Sequence, residues 1–319
     1  MDLPKKYQSL IEAKWIVPPI LNVSLSSYTS FRCNSRAELL LTLSNQNELR
    51  QFLQISTKKS WIWIILGRGS NCIFTDQGLA GILVSLRGDF KKIVCDQKSQ
   101  TLDCGSAALN FAVFREAKKL SWQGGEFLST IPGTIGGGIA MNAGAYGREF
   151  KDIILEVGFW DLDDGAQIFD NMDCQFTYRG SIFHKKKIII TRAILKFDEG
   201  DFAEIDRNQA KFLHHRKTKQ PIHSATWGSV FMNPKNNSAG SLIEQCGLKG
   251  KGFGNAKISE KHANFIENTG LASFQDAKLT ILMAKDRVYK KFGISLNLEV
   301  IIIGKYGKVI SVDKLDDVI

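Results

Sequence analysis

Residues Ile131–Gly147 read IPGTIGGGIAMNAGAYG, six glycines in seventeen residues without one charged side chain. Such a segment presents backbone, not side chains, to whatever lies against it. Glycine admits positive φ and lets a ligand come within hydrogen-bonding reach of bare N–H groups, which is how proteins cradle a pyrophosphate. Pro132 and Thr134 read as the lip of a loop that turns into a short helix, whose unpaired N–H groups and positive dipole end serve the same anion. A glycine-rich turn packed between sheets would account for a lone glycine pair, but six glycines clustered with Asn142 and Tyr146 favour a ligand cradle.

Upstream, the apolar run Trp61–Leu66 reads as a buried strand that ends in the turn Gly67-Arg68-Gly69-Ser70-Asn71. The spacing is not G-x-G-x-x-G and a strand, not a helix, is expected to follow, which argues against a nicotinamide-type Rossmann site. A phosphate-holding turn stays open, because Ser70 and Asn71 supply donors beside two glycines. Elsewhere the pattern predicts a loop and edge strand before Arg32, a helix over Glu38–Thr57, two short strands over Lys92–Cys104 and a helix over Leu109–Leu120. Strands follow near Ile153–Trp160, Gln167–Phe169 and Ile188–Lys196, then a charged helix Asp201–Arg216 that breaks before Pro221. Ser273 caps a helix whose apolar face runs Phe274, Ala277, Ile281, Ala284, Val288 and ends at Gly293. The strand Leu298–Ile303 carries Glu299 at its start, where alternation turns the carboxylate to solvent unless function buries it. Helices and strands do not alternate regularly, so the class is α+β.

The 319 residues suggest two or three domains, and 44% hydrophobic with 23% charged residues is ordinary for a globular protein. The net charge of +10 suits an anionic ligand, nucleic acid or an acidic surface. Lys and Arg are spread along the chain without an RRM, KH or helix-turn-helix pattern, so no nucleic-acid partner is expected. Six cysteines lack a C-x-x-C pair or regular spacing, which indicates neither a zinc site nor a disulfide framework, but reduced thiols. Gln8, Glu12 and Lys14 interrupt any apolar signal core, and Trp61–Leu66 is too short to span a bilayer; a cytoplasmic protein with no membrane insertion is expected.

Taken together, these blocks resemble the UDP-N-acetylenolpyruvoylglucosamine reductases. The resemblance runs from about Thr29 to Gly304 and rests on Leu66-Gly-Arg-Gly-Ser-Asn71, Ile131-Pro-Gly-Thr-Ile-Gly-Gly137 with Met141-Asn-Ala-Gly-Ala-Tyr-Gly147, Tyr178-Arg179, Gly228-Ser-Val-Phe231, Leu242-Ile-Glu with Gly247-Leu-Lys-Gly250, Ser259-Glu-Lys-His-Ala-Asn-Phe265, and Glu299. It implies an FAD-binding fold of the vanillyl-alcohol oxidase type, with flavin-binding subdomains over 1–87 and 88–199 and a substrate-binding α+β domain over 200–319. It further implies non-covalent FAD, NADPH as co-substrate, a UDP-sugar substrate, and a monomer of the shorter of the family's two subclasses. Ser229 is then the proton donor, with Arg179 and Glu299 its catalytic companions. The cofactor contacts fall on Gly67, Arg68, Gly69, Ser70, Asn71, Pro132, Gly133, Thr134, Gly136, Gly137, Asn142, Ala143 and Gly144, and the substrate contacts on Tyr178, Arg216, Asn233 and Lys249. Two stretches depart from the family pattern: Cys33-Asn34-Ser35 stands where a paired glycine is usual, and Ser129-Thr130 where Ala-Gly is usual. A different FAD oxidoreductase of the same fold would tether its flavin through His or Cys, and no such attachment motif stands near Gly67–Asn71.

Overall fold

A computed structural model describes residues 2–184, 188–311 and 315; the C-terminal limit expected for the third unit lies outside them. Trp63–Ile65 is a strand that runs into the Gly67–Asn71 turn, and the strand Cys72–Phe74 follows at once. The first sheet has the order Ile20–Ser24, Arg36–Leu43, Leu79–Leu86, Trp63–Ile65, with its last two pairings parallel. Two short helices, Leu3–Lys6 and Gln8–Ile11, precede it.

One expectation is corrected. The stretch Glu38–Thr57 is not a single helix: Arg36–Leu43 is a strand and Gln46–Lys59 a helix. Leu39, Leu40, Leu41 and Leu43 are all buried, the near-continuous apolar reading of a strand covered on both faces. The boundary is Asn45, whose Oδ1 accepts the Glu48 N–H at 2.9 Å and caps the helix. Leu49, Phe52 and Leu53, with the partly buried Ile55, carry helical periodicity into the core beneath that sheet.

The second sheet is antiparallel, ordered Gly165–Asp170, Ile154–Asp161, Ile188–Lys196, Thr101–Gly105, Ile93–Asp96. The helices Asn110–Lys119 and Ile135–Ala140 share its core through Val113, Phe114, Ile135 and Ile139. A third core gathers Trp227, Phe231, Ile243 and the apolar face of the helix Phe274–Phe292. That helix starts at a capping box between Ser273 and Asp276 and stops at Gly293, whose φ of 69° only glycine adopts without strain. Burial of its Phe274, Ile281 and Val288 is worth about 1.5–3 kcal/mol per side chain.

The C-terminal segment returns to the start of the molecule. Ile301–Ile303 pairs parallel with Cys72–Phe74, beside Val309–Ile310. The Asp76 carboxylate also accepts the N–H groups of Phe274 (2.7 Å) and Gln275 (3.1 Å), at the first turn of the long helix. These pairings carry residue 299 to residue 71, across most of the sequence.

Candidate active site

A cleft of about 1380 Å³ is lined by segments from all three cores. Drug-sized ligands fill roughly 300–1,000 Å³, so this cleft has room for a dinucleotide with a second ligand beside it. Its floor is built where the two glycine stretches touch. Ser70 Oγ donates to the Pro132 carbonyl at 2.8 Å, and a Cβ on Gly67 would come within 2.6 Å of Thr134 Oγ1. Gly69 has φ +59°, and a Cβ there would lie 2.0 Å from the Tyr28 carbonyl oxygen. The N–H groups of Gly67, Arg68, Gly69 and Ser70 find no protein acceptor among the described residues, and they belong to the cleft lining.

Thr134 caps the six-residue helix Ile135–Ala140, its Oγ1 accepting the Gly137 N–H at 3.4 Å. Pro132, Gly133, Thr134, Gly136, Gly137, Ala143 and Gly144 all line the cleft, but its two central glycines differ. Gly136 donates its N–H to the Ser106 carbonyl at 2.8 Å, and a Cβ on it would meet Ser106 Cβ at 2.9 Å. A Cβ on Gly137 meets only Thr134 Oγ1, at 3.5 Å. Gly137 is therefore the glycine whose open side is free for a ligand, and Gly136 is a close-packing glycine.

Asn142 does not join them. It is wholly buried and absent from the cleft lining, because its side chain is spent within the protein. Nδ2 donates to Glu149 Oε2 (2.8 Å) and to the Thr177 carbonyl (2.9 Å), and Oδ1 accepts the Lys151 N–H (3.0 Å). It joins the strand-turn Gly144–Glu149 to the turn that carries Arg179. Asn71 lines the cleft, yet its amide also serves the framework by donating to the Glu299 carbonyl at 3.0 Å.

Ser229, Arg179 and Glu299 are also all in the cleft lining. Backbone pairing brings two of them together: the Val230 carbonyl accepts the Glu299 N–H at 2.9 Å, and Phe231 bridges Leu298. Arg179 arrives on the two-residue turn closed by Thr177 and Gly180, which exchange N–H···O bonds of 2.9 and 3.2 Å. Arg179 holds φ +57°, a left-handed conformation uncommon outside glycine, of the kind that clusters at ligand sites. Its Nε donates to Glu299 Oε1 at 2.9 Å and its Nη2 to the Gly144 carbonyl at 3.1 Å.

The solvent-facing reading of Glu299 by alternation is overturned. The regular strand begins only at Ile301, and the Glu299 side chain is 18% exposed. Burial pushes its carboxyl above the ordinary range, and the Arg179 guanidinium pulls against that shift without cancelling it. Arg179, a residue type expected at the surface, is 17% exposed.

The residues expected to hold substrate divide. Arg216 lies with Arg68, Ser70 and Gly228 around a side pocket of about 180 Å³ that adjoins the cleft. Its Nη1 donates to the Thr130 carbonyl and its Nε to Gln220 Oε1 at 3.2 Å. Tyr178 is 49% exposed, with the Arg179 guanidinium 4.9 Å from its ring centre. Tyr178, Asn233 and Lys249 are not in the lining of either cavity. Asn233 Oδ1 accepts the Ala239 N–H at 3.0 Å, and Lys249 pairs with Glu244 at 2.6 Å.

The family model described as UDP-N-acetylenolpyruvoylglucosamine reductase, C-terminal domain, matches residues 220–303, and the model described as FAD binding domain matches residues 37–169. A UDP-N-acetylenolpyruvoylglucosamine reductase from Caldanaerobacter subterraneus is 35% identical over 89% of this chain and 93% of its own length. The chain belongs to the UDP-N-acetylenolpyruvoylglucosamine reductases. Another reductase so named, from Rickettsia prowazekii, is 36% identical over 89% of this chain and 95% of its own. The crystal structure of the Thermus caldophilus reductase superposes with a TM-score of 0.74 at 31% identity, covering 90% of this chain and 98% of that one. The expected α+β flavin-binding fold is borne out by these matches.

Neither departure from the reductase pattern reaches the ligand side. Ser129 Oγ and Thr130 Oγ1 fold back onto the Glu126 and Phe127 carbonyls at 2.6 and 2.8 Å, and Cys33, Asn34 and Ser35 do not line the cleft. Sequence reasoning missed Ser106–Asn110, which lines the cleft after the strand Thr101–Gly105. Asn110 Nδ2 donates to the Ile131 carbonyl at 3.1 Å and steadies the glycine loop. An asparagine at a helix start is the signal that could have drawn attention to it. Among the described residues no helix is long and apolar enough to cross a membrane.

Proposed function

We propose that the chain reduces UDP-N-acetylglucosamine enolpyruvate to UDP-N-acetylmuramate, a step of peptidoglycan precursor synthesis, with non-covalent FAD and with NADPH as co-substrate. The observation that carries this reading is the buried Arg179–Glu299 pair in the lining of a glycine-rich cleft, with Ser229 brought beside Glu299 by the backbone bond to Val230. The floor fits the cofactor: open N–H groups at Gly67–Ser70 and the bare side of Gly137 suit a pyrophosphate, and the cleft volume of about 1380 Å³ has room for a dinucleotide. Bound FAD supplies hydride taken from NADPH.

Hydride addition to the terminal methylene of the enolpyruvyl ether leaves negative charge on the carbon alpha to the carboxylate, shared with that carboxylate as an enolate. Arg179 offers charge-assisted donors to the carboxylate. Glu299, whose carboxyl burial pushes above the ordinary range, is the group assigned to donate a hydrogen bond, in its protonated form, to the developing enolate oxygen. Ser229 Oγ gives its proton to the alpha carbon, a task that depends on position more than acidity because a carbanion is a strong base. Arg216, with Arg68 beside it, holds the diphosphate, and Tyr178, outside the cavity lining, is tied to the site only through its stacking on Arg179. Asn233 and Lys249 are left out of this assignment by their positions.

In the same reading, residues 1–87 and 88–199 form the flavin-binding units and 200–319 the substrate unit, and the protein acts as a cytoplasmic monomer. Most of each core falls within one of these spans, although Phe31, Cys33 and Ile73 pack into the third core and Phe90 and Ile189 into the first. The test is direct. Purified protein should show a flavin spectrum that is lost to the supernatant on denaturation, and it should oxidise one NADPH per enolpyruvyl-UDP-sugar reduced. A flavin-loaded protein whose flavin is not reoxidised by that substrate would overturn the assignment.

A further inference from the structure

Arg179 does not face one carboxylate but two. On the side away from Glu299, its Nη1 lies 4.0 Å from Glu149 Oε1, and Glu149 is itself 19% exposed. Glu149 is held in place from three directions. Asn142 Nδ2 donates to Oε2 at 2.8 Å, Lys151 Nζ lies 3.1 Å from the same oxygen, and the Asp152 N–H is accepted in a capping box that Asp152 reciprocates. Glu149 closes the short antiparallel pair Gly144–Ala145 and Arg148–Glu149, whose Gly144 carbonyl is the third oxygen on the Arg179 guanidinium. A cap alone would need no second cation and no buried asparagine aimed at its other oxygen.

We propose that Glu149 is a positioning residue: its carboxylate, fixed by Asn142 and Lys151, holds the far side of the Arg179 guanidinium and so limits the share of that charge that Glu299 receives. The inference rests on the proposed roles of Arg179 and Glu299. Among the described residues Arg179 is the charged group that acts on Glu299 directly; Glu149 acts through it, and Lys151 and Asp152 act through Glu149. With Glu149 neutralised, Arg179 turns its full charge on Glu299 and a nearby negative charge is gone. Both changes favour ionised Glu299, the form that has no hydrogen bond to donate. Removing the Lys151 charge works in the opposite direction, because Glu149 then draws Arg179 more strongly.

The experiment follows the pH dependence of flavin reoxidation by the enolpyruvyl substrate in the holoenzyme, beside an infrared titration of the protonated carboxyl band that disappears in Glu299→Gln. In Glu149→Gln both midpoints should fall by about one pH unit, a tenfold change in proton affinity. Glu149→Asp should restore most of the shift, and Lys151→Gln should move both midpoints upward. Flavin content and reduction by NADPH should stay at the parent level in all three. Lys151 is half exposed, so Lys151→Gln decides the matter if Glu149→Gln folds poorly. Midpoints unmoved in Glu149→Gln and Lys151→Gln, while Arg179→Ala shifts the infrared band, would overturn the inference and leave the proposed function standing. An alkaline limb that survives Glu299→Gln would instead overturn both.

Discussion

The two walls of the cleft are built on opposite principles. The glycine floor, Gly67–Asn71 with Pro132–Gly137, recognises through backbone, carries almost no charge, and owes its shape to local conformation. The second wall recognises through side chains, with Arg179 and Glu299 held at 2.9 Å in surroundings where an unpaired charge would be costly. A floor of this kind can hold a cofactor through many reaction cycles without changing. The wall has to respond, because its work begins only when charge appears on the substrate. Substitutions on the two walls should therefore affect different half-reactions.

The largest effect is expected at Ser229. Ser229→Ala removes one hydroxyl with little change of shape, and flavin reoxidation by the enolpyruvyl substrate should slow by about 10²–10⁴. Reduction by NADPH in the same variant should stay near the parent rate in stopped flow. Ser229→Cys should recover part of the loss. Normal reoxidation with alanine at 229 would transfer the donor role to water or another group.

Next come Arg179→Ala and Glu299→Gln, each expected to slow reoxidation by about 10²–10³ while sparing reduction by NADPH. If both half-reactions slow equally, the wall is no more specialised than the floor. The parent enzyme should also report Glu299 through pH. Because burial raises its carboxyl, the protonated, hydrogen-bond-donating form persists below that raised value and is lost as pH rises through it, so reoxidation should fall on the alkaline side. The fall should be absent in Glu299→Gln.

The floor itself can be taken apart by its two central glycines. Gly137→Val should weaken flavin binding about tenfold or more, read as flavin occupancy after dialysis, with melting of the apoprotein nearly unchanged. Gly136→Val drives a side chain into Ser106 and should instead destabilise the fold by about 1–3 kcal/mol, read by denaturant unfolding. The smallest effect is expected at Lys249, whose partner Glu244 is exposed. Lys249→Ala should change the Michaelis constant for substrate less than about threefold, within what a surface ion pair is worth. A much larger change would return Lys249 to the substrate site.

The floor was legible because its chemistry is local. Positive φ, a helix cap at Thr134 and clustered glycines are properties of neighbouring residues, and they read the same in the chain as in the fold. Sequence cannot say which side of a glycine is open: Gly136 lines the cleft but turns its Cβ side onto Ser106, and Asn142 lies outside the cleft lining. The split of Glu38–Thr57 was missed for a similar reason, since a short run of leucines fits a buried strand or a helix equally well until its neighbours are known.

By itself the sequence determined the α+β class, the two backbone cradles, the capped helix Phe274–Phe292 and, through ordered motif blocks, the reductase family. Only the tertiary structure decided the wall. Arg179 and Glu299 are separated by 120 residues, and their meeting depends on the parallel pairing of Ile301–Ile303 with Cys72–Phe74 and on a left-handed turn at residue 179. Whether a carboxylate faces water or a buried guanidinium is set by what packs over it, and those neighbours come from distant parts of the chain. That is why alternation placed Glu299 in solvent, and why Glu149, inconspicuous after the glycine stretch, becomes visible only where Asn142, Lys151 and Arg179 converge on it.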